Sequence, residues 1–457
     1  MSNTIKTLFQ KLESATDANL KTYFTQTVAI NRLADFNSTS GLAVGLKGIG
    51  KTAAFRYFTE FENSPDIVIG IDVDKFGLHL PNKNLNYGTC RKQFEHDLVL
   101  EALRAIVEKR SSLKGRVTKH YLDAASEQVT SYVDTLKSAA SRVGGITILG
   151  CGFTVRHPDA VVAIGLRKQT DVNTALMTLK EICAKGVKIR IVVDDPELVF
   201  SASRDLDTHL IGGFCLAALR LSSEIPNLKV IALIKTHVYY PILTDVDDLR
   251  KYPDHMERLC WNRSELVDVI QNRLKSVGKT LVDLFEGNEK QARQLVETMC
   301  GNVRNGPRDL MRWIDLCLQA GNQNRISADM MLKAKPRMSS DSLGEMVSAH
   351  SSTYKRIGEV IRAIFRKQPE QEYSLKDLIE HIRSLLMKDQ EMKTLSRLPW
   401  MQLETSHTLP ELLFETGALS LKLNGRLILP YEEGYDLEHF KSATSIQLAP
   451  ALIQAIR

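Results

Sequence analysis

The stretch that most constrains the fold is Gly45-Leu46-Lys47-Gly48-Ile49-Gly50-Lys51-Thr52, which fits G-x-x-x-x-G-K-[ST]. Just ahead, Leu42, Ala43 and Val44 form an apolar run that ends a buried strand, and residues 52–58 read as the start of a helix. A strand that turns through three glycines into a helix suits few folds. The glycines let the backbone curl until its N–H groups face a polyphosphate, and the helix N-terminus adds the positive end of its dipole. On this reading Gly45, Lys47, Gly48, Ile49, Gly50, Lys51, Thr52 and Ala53 surround the phosphates. Lys51 reaches the β and γ groups, and the Thr52 hydroxyl holds Mg2+.

The next strands follow from β-branched runs. Residues 66–72 (D-I-V-I-G-I-D) read as a second buried strand, and strand–helix–strand begins a parallel α/β sheet. Residues 187–195 (V-K-I-R-I-V-V-D-D) form another, ending in two acids. A carboxylate at the carboxyl end of such a strand is placed to hold Mg2+, which assigns Asp194 to the metal. Asp195 is then the acid that polarises the attacking water, with Glu197 as the rival base if Pro196 turns the chain back. Residues 228–234 are a further strand, and Thr236 at its end is chosen to position water or sense the γ-phosphate. Gly306-Pro307 breaks one helix and starts another, because proline is tolerated in a first turn. Arg308 in that turn is predicted to point at phosphate, with Arg304 and Arg312 as alternatives.

Length sets the domain count. A chain of 457 residues suggests roughly three domains. Residues 1–40 read as a helical segment, with Ile30 and Leu33 expected near a bound base. Residues 41–245 read as the core, interrupted by a helical insertion at about 76–185 that looks like an extra arm. Strand-like pieces at 146–149 and 161–166 fall inside it. Residues 246–342 read as a small helical lid whose last stretch, 336–342, is a linker. In 245–258, Arg250 or Arg258 is either an arginine finger for a neighbouring subunit or part of a solvated charged loop. Residues 343–435 hold helices followed by an alternating stretch around Asn424-Gly425, a strong hairpin signal. Helices followed by a hairpin match a winged helix-turn-helix, where Lys422 and Arg426 on the wing would contact DNA phosphate. Many such modules bind only protein, and the polar and acidic stretch at 389–404 weakens the DNA case. Residues 436–457 are expected to be a tail helix.

The net charge of +6 is a mild basic bias compatible with nucleic acid. The seven cysteines are scattered singly, which disfavours a disulfide framework or a zinc site. The N-terminus lacks the apolar core of a signal peptide, and no window has the length of a membrane helix. The expectation is a soluble, cytoplasmic protein.

With the glycine loop, the Asp-Asp strand end, the polar strand end, the G-P-R helix start and the terminal hairpin in this order, the chain resembles AAA+/STAND-class P-loop ATPases. Within them it looks most like the initiator-type (origin-recognition-like) and KAP-like branches, over residues 40–75 and 185–430. The resemblance implies an α/β core with strand order 5-1-4-3-2, a helical lid, a C-terminal winged helix, and ATP with Mg2+ between core and lid. It also implies Thr236 and Arg308 as first and second sensors and a homo-oligomer. Proteins of this layout serve as conformational switches, anti-phage defence among them, acting on double-stranded DNA or a protein effector. The other reading is a nucleotide-gated or oligomeric scaffold with little hydrolysis. The absence of a guanine-reading N-K-x-D motif favours ATP.

Overall fold

The computed structural model describes residues 3–10, 14–72, 86–143, 146–149, 152–155, 169–196, 204–252, 254–320, 325–351 and 353–457. They form two compact units. One comprises Val28–Gly45 and Ala54–Arg258, and the other Met1–Thr27, Leu46–Ala53 and Leu259–Arg457.

The first unit is built on a five-stranded sheet. Its strands are β1 (Leu42–Gly45), β2 (Ile67–Asp72), β5 (Ile189–Asp194), β6 (Leu228–Lys235) and β7 (Met256–Arg258), all parallel where they pair. A separate antiparallel hairpin joins β3 (Ile146–Leu149) to β4 (Gly152–Val155). The five-stranded sheet runs β2-β5-β6-β1-β7. Numbering its members in chain order, this is 5-1-4-3-2, so the fold is the α/β P-loop ATPase core that the sequence predicted. Parallel strands covered by crossover helices read as unbroken apolar runs. All of β1 and the first seven residues of β6 are indeed buried.

Part of the insertion packs into the core. Helix Tyr87–Glu108 contributes Phe94, Leu98, Val99, Ala102, Leu103 and Ile106 to the same core as the strands. It lies so close to helix Arg204–Glu224 that a Cβ on Gly213 would come within 2.6 Å of Cys90 Cβ. Only glycine permits that approach, and Phe94 meets Phe214 edge-on at 5.5 Å beside it. The piece expected at 161–166 lies outside the described residues. Residues 245–258 are not a plain loop either, since β7 adds the fifth strand with Arg258 in register with Val44.

Two cations are buried at the amino ends of the central strands. Arg190 and Lys229 are register neighbours, and they are 0% and 1% exposed. Arg190 pairs with Glu62, donates to the Ala34 carbonyl and lies over the rings of Phe36 and Phe58. Lys229 donates to the Ser38 carbonyl at 2.6 Å. Together they fasten residues 34–38 under the sheet. Burial, and secondarily the Arg190 charge, lowers the Lys229 ammonium to about 8, against the pull of Asp35 and Glu257. A base depressed by folding holds fewer protons folded than unfolded between pH 8 and its ordinary value. Stability therefore rises with pH across that window, by at most about 1.4 kcal/mol per pH unit. Denaturant titrations from pH 7.5 to 10 are expected to show this rise in the wild type relative to Lys229→Met, which has no such proton to lose.

The second unit is helical until its C-terminal end. Helices Arg263–Lys275 and Glu289–Cys300 begin on capping boxes, Asn262 with Glu265 and Asn288 with Gln291. Helices Pro307–Ala320 and Ala328–His350 follow. The last of these runs straight through 336–342, the expected linker. An internal proline costs about 3 kcal/mol. Met330, Met331, Ala334, Met338, Leu343 and Met346 bury one face on both sides of Pro336 and outweigh that cost. The N-terminal helix Asn3–Gln10 belongs to this unit, held by Arg273, which donates to the Leu8 carbonyl at 2.9 Å and pairs with Asp17 at 3.2 Å.

After helices Ile357–Phe365, Leu375–Lys388 and Leu409–Glu415 comes the predicted hairpin, β8 (Leu419–Leu423) and β9 (Arg426–Ile428). Asn424 (φ 49°) and Gly425 (φ 79°) are both left-handed, as a two-residue hairpin turn requires. The tail is not a helix as expected. Helices Leu437–Ser442 and Ile453–Ile456 flank residues Ser445–Leu448, which form β10, antiparallel to β8. The reason lies in the alternation of S-I-Q-L: Ile446 and Leu448 face the core while Ser445 and Gln447 do not.

Candidate nucleotide-binding site

The loop Leu46–Ala53 is shaped by two left-handed glycines, Gly48 (φ 90°) and Gly50 (φ 115°), positions that an L side chain strains. Its apolar members are anchors, Leu46 and Ile49 being buried. Lys51 opens helix Lys51–Arg56 and is 6% exposed. Its ammonium turns back and donates to the Leu46 carbonyl at 3.1 Å. Thr52 and Ala53 are half-buried in the same first turn.

Arg308 comes to this loop from the first turn of helix Pro307–Ala320. A Cβ on Gly48 would stand 3.4 Å from Arg308 Cδ and 3.1 Å from Asn305 Cβ. The alternatives Arg304 and Arg312 are engaged elsewhere. Arg304 is buried, and its guanidinium donates to the Thr416 carbonyl at 3.2 Å. Arg312 pairs with Asp315 at 3.1 Å and Asp341 at 2.9 Å. A residue the sequence reading missed is Glu345 on helix Ala328–His350. Burial, and then the Asp309 charge, pushes its carboxyl up, while Arg308, Arg304 and Lys47 pull it down. Its Oε2 is buried and takes no hydrogen bond from a described residue.

A second missed residue is Trp261. Its indole N–H donates to the Ile49 carbonyl at 2.8 Å, and its backbone N–H donates to the Tyr431 carbonyl at 2.8 Å. Nothing in its sequence surroundings signals this, since from sequence it reads as the first residue of an amphipathic helix over 261–275.

In the other unit, the carboxyl ends of the strands gather the predicted acids. Asp194 closes β5 level with Leu233, and Gly45 closes β1 level with Lys235 two residues further on. Asp72 ends β2 in register with Asp194, a third acid position that the sequence reading left unassigned. Asp195 has φ 44°, donates its N–H to the Leu233 carbonyl at 3.1 Å, and pairs through Oδ2 with Lys235 at 3.2 Å. Its Oδ1 is buried without a hydrogen bond from a described residue. Thr236, 5% exposed, starts helix Thr236–Asp245 directly after β6. Glu197 lies outside the described residues, as does the Arg250 side chain. Arg258 is half-buried in β7 rather than extended from a loop. Ile30 and Leu33 are both buried in helix Val28–Ala34.

The wing cations are already engaged. Lys422 pairs with Glu372 at 2.9 Å, and Arg426 pairs with Glu432 at 3.2 Å. Glu432 is 0% exposed and also takes Arg263 Nε at 3.1 Å and the Leu429 N–H at 2.8 Å. The helix ahead of the hairpin, Leu409–Glu415, carries acids. Glu415 is pushed up to about 7 by burial, reinforced by Glu411 and Glu404. Among the described residues no helix is long and apolar enough to cross a membrane. No group of three His, Cys, Asp or Glu residues gathers around a metal position among them either.

No family model matches the chain, and no curated protein matches it. Among solved structures it is similar to the Walker-type ATPase of Pyrococcus abyssi, at 13% identity and TM-score 0.48, over 98% of this chain and 99% of that one. It is similar to the ORC2 protein of Aeropyrum pernix in its ADPNP–ADP complexes, at 11% identity and TM-score 0.41, over 96% and 98%. The Cdc6p protein of Pyrobaculum aerophilum follows at 12% identity and TM-score 0.32, over 96% and 97%. The P-loop fold itself rests on the molecule's own strand order and glycine loop.

Proposed function

We propose that the chain is an ATP-binding and ATP-hydrolysing molecular switch that reports its nucleotide state to a protein partner. The observation that carries this reading is the loop. Two left-handed glycines expose backbone N–H groups, a buried lysine ammonium rests on a loop carbonyl it can exchange for phosphate, and Arg308 is set against Gly48. In this reading Gly45, Lys47, Gly48, Ile49, Gly50, Lys51, Thr52 and Ala53 hold the phosphates. Asp195 aligns the attacking water, with Glu197 as the rival base, and Thr236 and Arg308 sense the γ-phosphate. The Thr52 hydroxyl and the Asp194 carboxylate are hard oxygen donors of the kind Mg2+ takes, and few protein ligands suffice because Mg2+ keeps several waters. Bound there, Mg2+ neutralises charge on the phosphoryl oxygens.

A protein partner is favoured over duplex DNA because Lys422 and Arg426 are paired within the chain. The test is phosphate release and ATP binding by the full chain with Mg2+, with and without duplex DNA. ATP turnover that DNA leaves unchanged is expected. A chain that binds neither ATP nor ADP sinks the reading. Binding without turnover would leave the nucleotide-gated scaffold, and salt-sensitive stimulation by DNA would restore the DNA partner.

A further inference from the structure

We propose that Trp261 is a positioning residue for the nucleotide site, one that aims the Gly50 N–H at phosphate by gripping the other side of the same peptide. The inference rests on the nucleotide reading above.

The argument starts from the peptide unit. It is planar and trans, so the carbonyl of residue 49 and the N–H of residue 50 point in opposite directions. A donor that fixes the Ile49 oxygen therefore fixes the direction of the Gly50 N–H. Gly50 needs such a fix. At φ 115° it occupies backbone space that side-chain-bearing residues avoid, and it has no side chain of its own to hold the turn. Trp261 supplies the grip at 2.8 Å through its indole N–H. The ring also closes the approach on that side, since a Cβ on Gly50 would lie 3.8 Å from Trp261 Cζ2.

The grip is itself held from behind. The Trp261 backbone N–H donates to the Tyr431 carbonyl at 2.8 Å. Tyr431 is buried, and its hydroxyl donates to the Cys300 carbonyl at 2.7 Å. The next residue, Glu432, is the buried acceptor of Arg263, two positions beyond Trp261. The indole therefore has little freedom to follow the loop, and the loop peptide must follow the indole. All of these residues lie in one compact unit.

The test compares full-length wild type with Trp261→Phe, which keeps an aromatic ring and deletes the N–H donor. ADP affinity is expected to fall roughly fivefold, the worth of one hydrogen bond. The KM for ATP should rise by a similar factor with kcat within about twofold, because a donor to a phosphate held in ground and transition states alike affects binding uniformly. The melting temperature without nucleotide should match the wild type, while the rise produced by ADP shrinks. Wild-type ADP affinity and KM in a folded Trp261→Phe overturn the assignment. If wild type itself fails to bind ADP, it is the nucleotide reading that falls. If Trp261→Phe melts well below wild type, Trp261→Met replaces it, an apolar side chain with no donor. A folded Trp261→Met with undiminished ADP affinity would equally overturn the proposal.

Discussion

Replacing Lys51 by methionine is expected to cut phosphate release by about 10²–10³-fold, with ATP affinity falling roughly tenfold or more. The methionine keeps an unbranched apolar stem of similar length and removes only the charge. Lys51 is 6% exposed, and its ammonium donates to the Leu46 carbonyl within its own loop. Burial makes a lone ammonium costly, so the loop carbonyl stabilises it while phosphate is away. When phosphate arrives, the same ammonium exchanges a neutral acceptor for an anionic one, and a charge-assisted bond is about twice as strong as a neutral one. The gain increases as charge builds on the transferring group, which is why turnover should suffer more than binding. Folding should be little affected, since removing a buried charge offsets the lost hydrogen bond. Isothermal titration with ATP and a phosphate-release assay check the two numbers. A Lys51→Met protein that hydrolyses ATP at the wild-type rate would place the chemistry away from Gly45–Thr52 altogether.

How much of this was legible in the sequence depended on whether the signal was local. The glycine loop, the apolar strands ending in Gly45, Asp194 and Lys235, and the Asn424-Gly425 turn each announce themselves within ten residues. Backbone geometry dictates side-chain type there. What the sequence could not show was which distant residues meet. Gly213 carries no signal of its own, yet it is where helix Tyr87–Glu108 docks, and that contact brings this helix of the supposed arm into the core. Pro336 looked like a break because local propensity says so, and tertiary burial of the surrounding methionines overrode it. The S-I-Q-L of β10 is too short an alternation to outvote a helical reading until β8 is beside it. At the site, Arg308 is the favoured candidate on paper, with Arg304 and Arg312 as weaker alternatives. Packing separates them, with one buried on Thr416, one against Gly48 and one paired with Asp315 and Asp341. Trp261 and Glu345 carry no motif at all, and only their partners give them meaning.

Replacing Asp195 by asparagine is expected to lower ATP turnover by about 10²–10³-fold while leaving ATP binding within about twofold, the signature of a lost general base or water-orienting carboxylate. Asp195 stands directly after β5 with φ 44°, a conformation that aspartate and asparagine tolerate better than most residues. The substitution therefore preserves the turn, and the backbone bond from its N–H to Leu233 survives with it. What changes is charge. Lys235 loses the ionic partner it has at 3.2 Å in Asp195 Oδ2, and the amide that replaces the carboxylate can no longer accept a proton from water. Lys235 itself is expected to act only by orientation, so Lys235→Met should cost about tenfold in turnover, well short of the Asp195 effect. The ordering of the two variants is the informative result. If Asp195→Asn turns over normally, the base is not on this turn, and Glu197→Gln should then carry the loss. If both acids are dispensable and wild type still hydrolyses ATP, water is activated by neither, and the paired Asp195–Lys235 turn is a strut that holds the ends of β5 and β6 together.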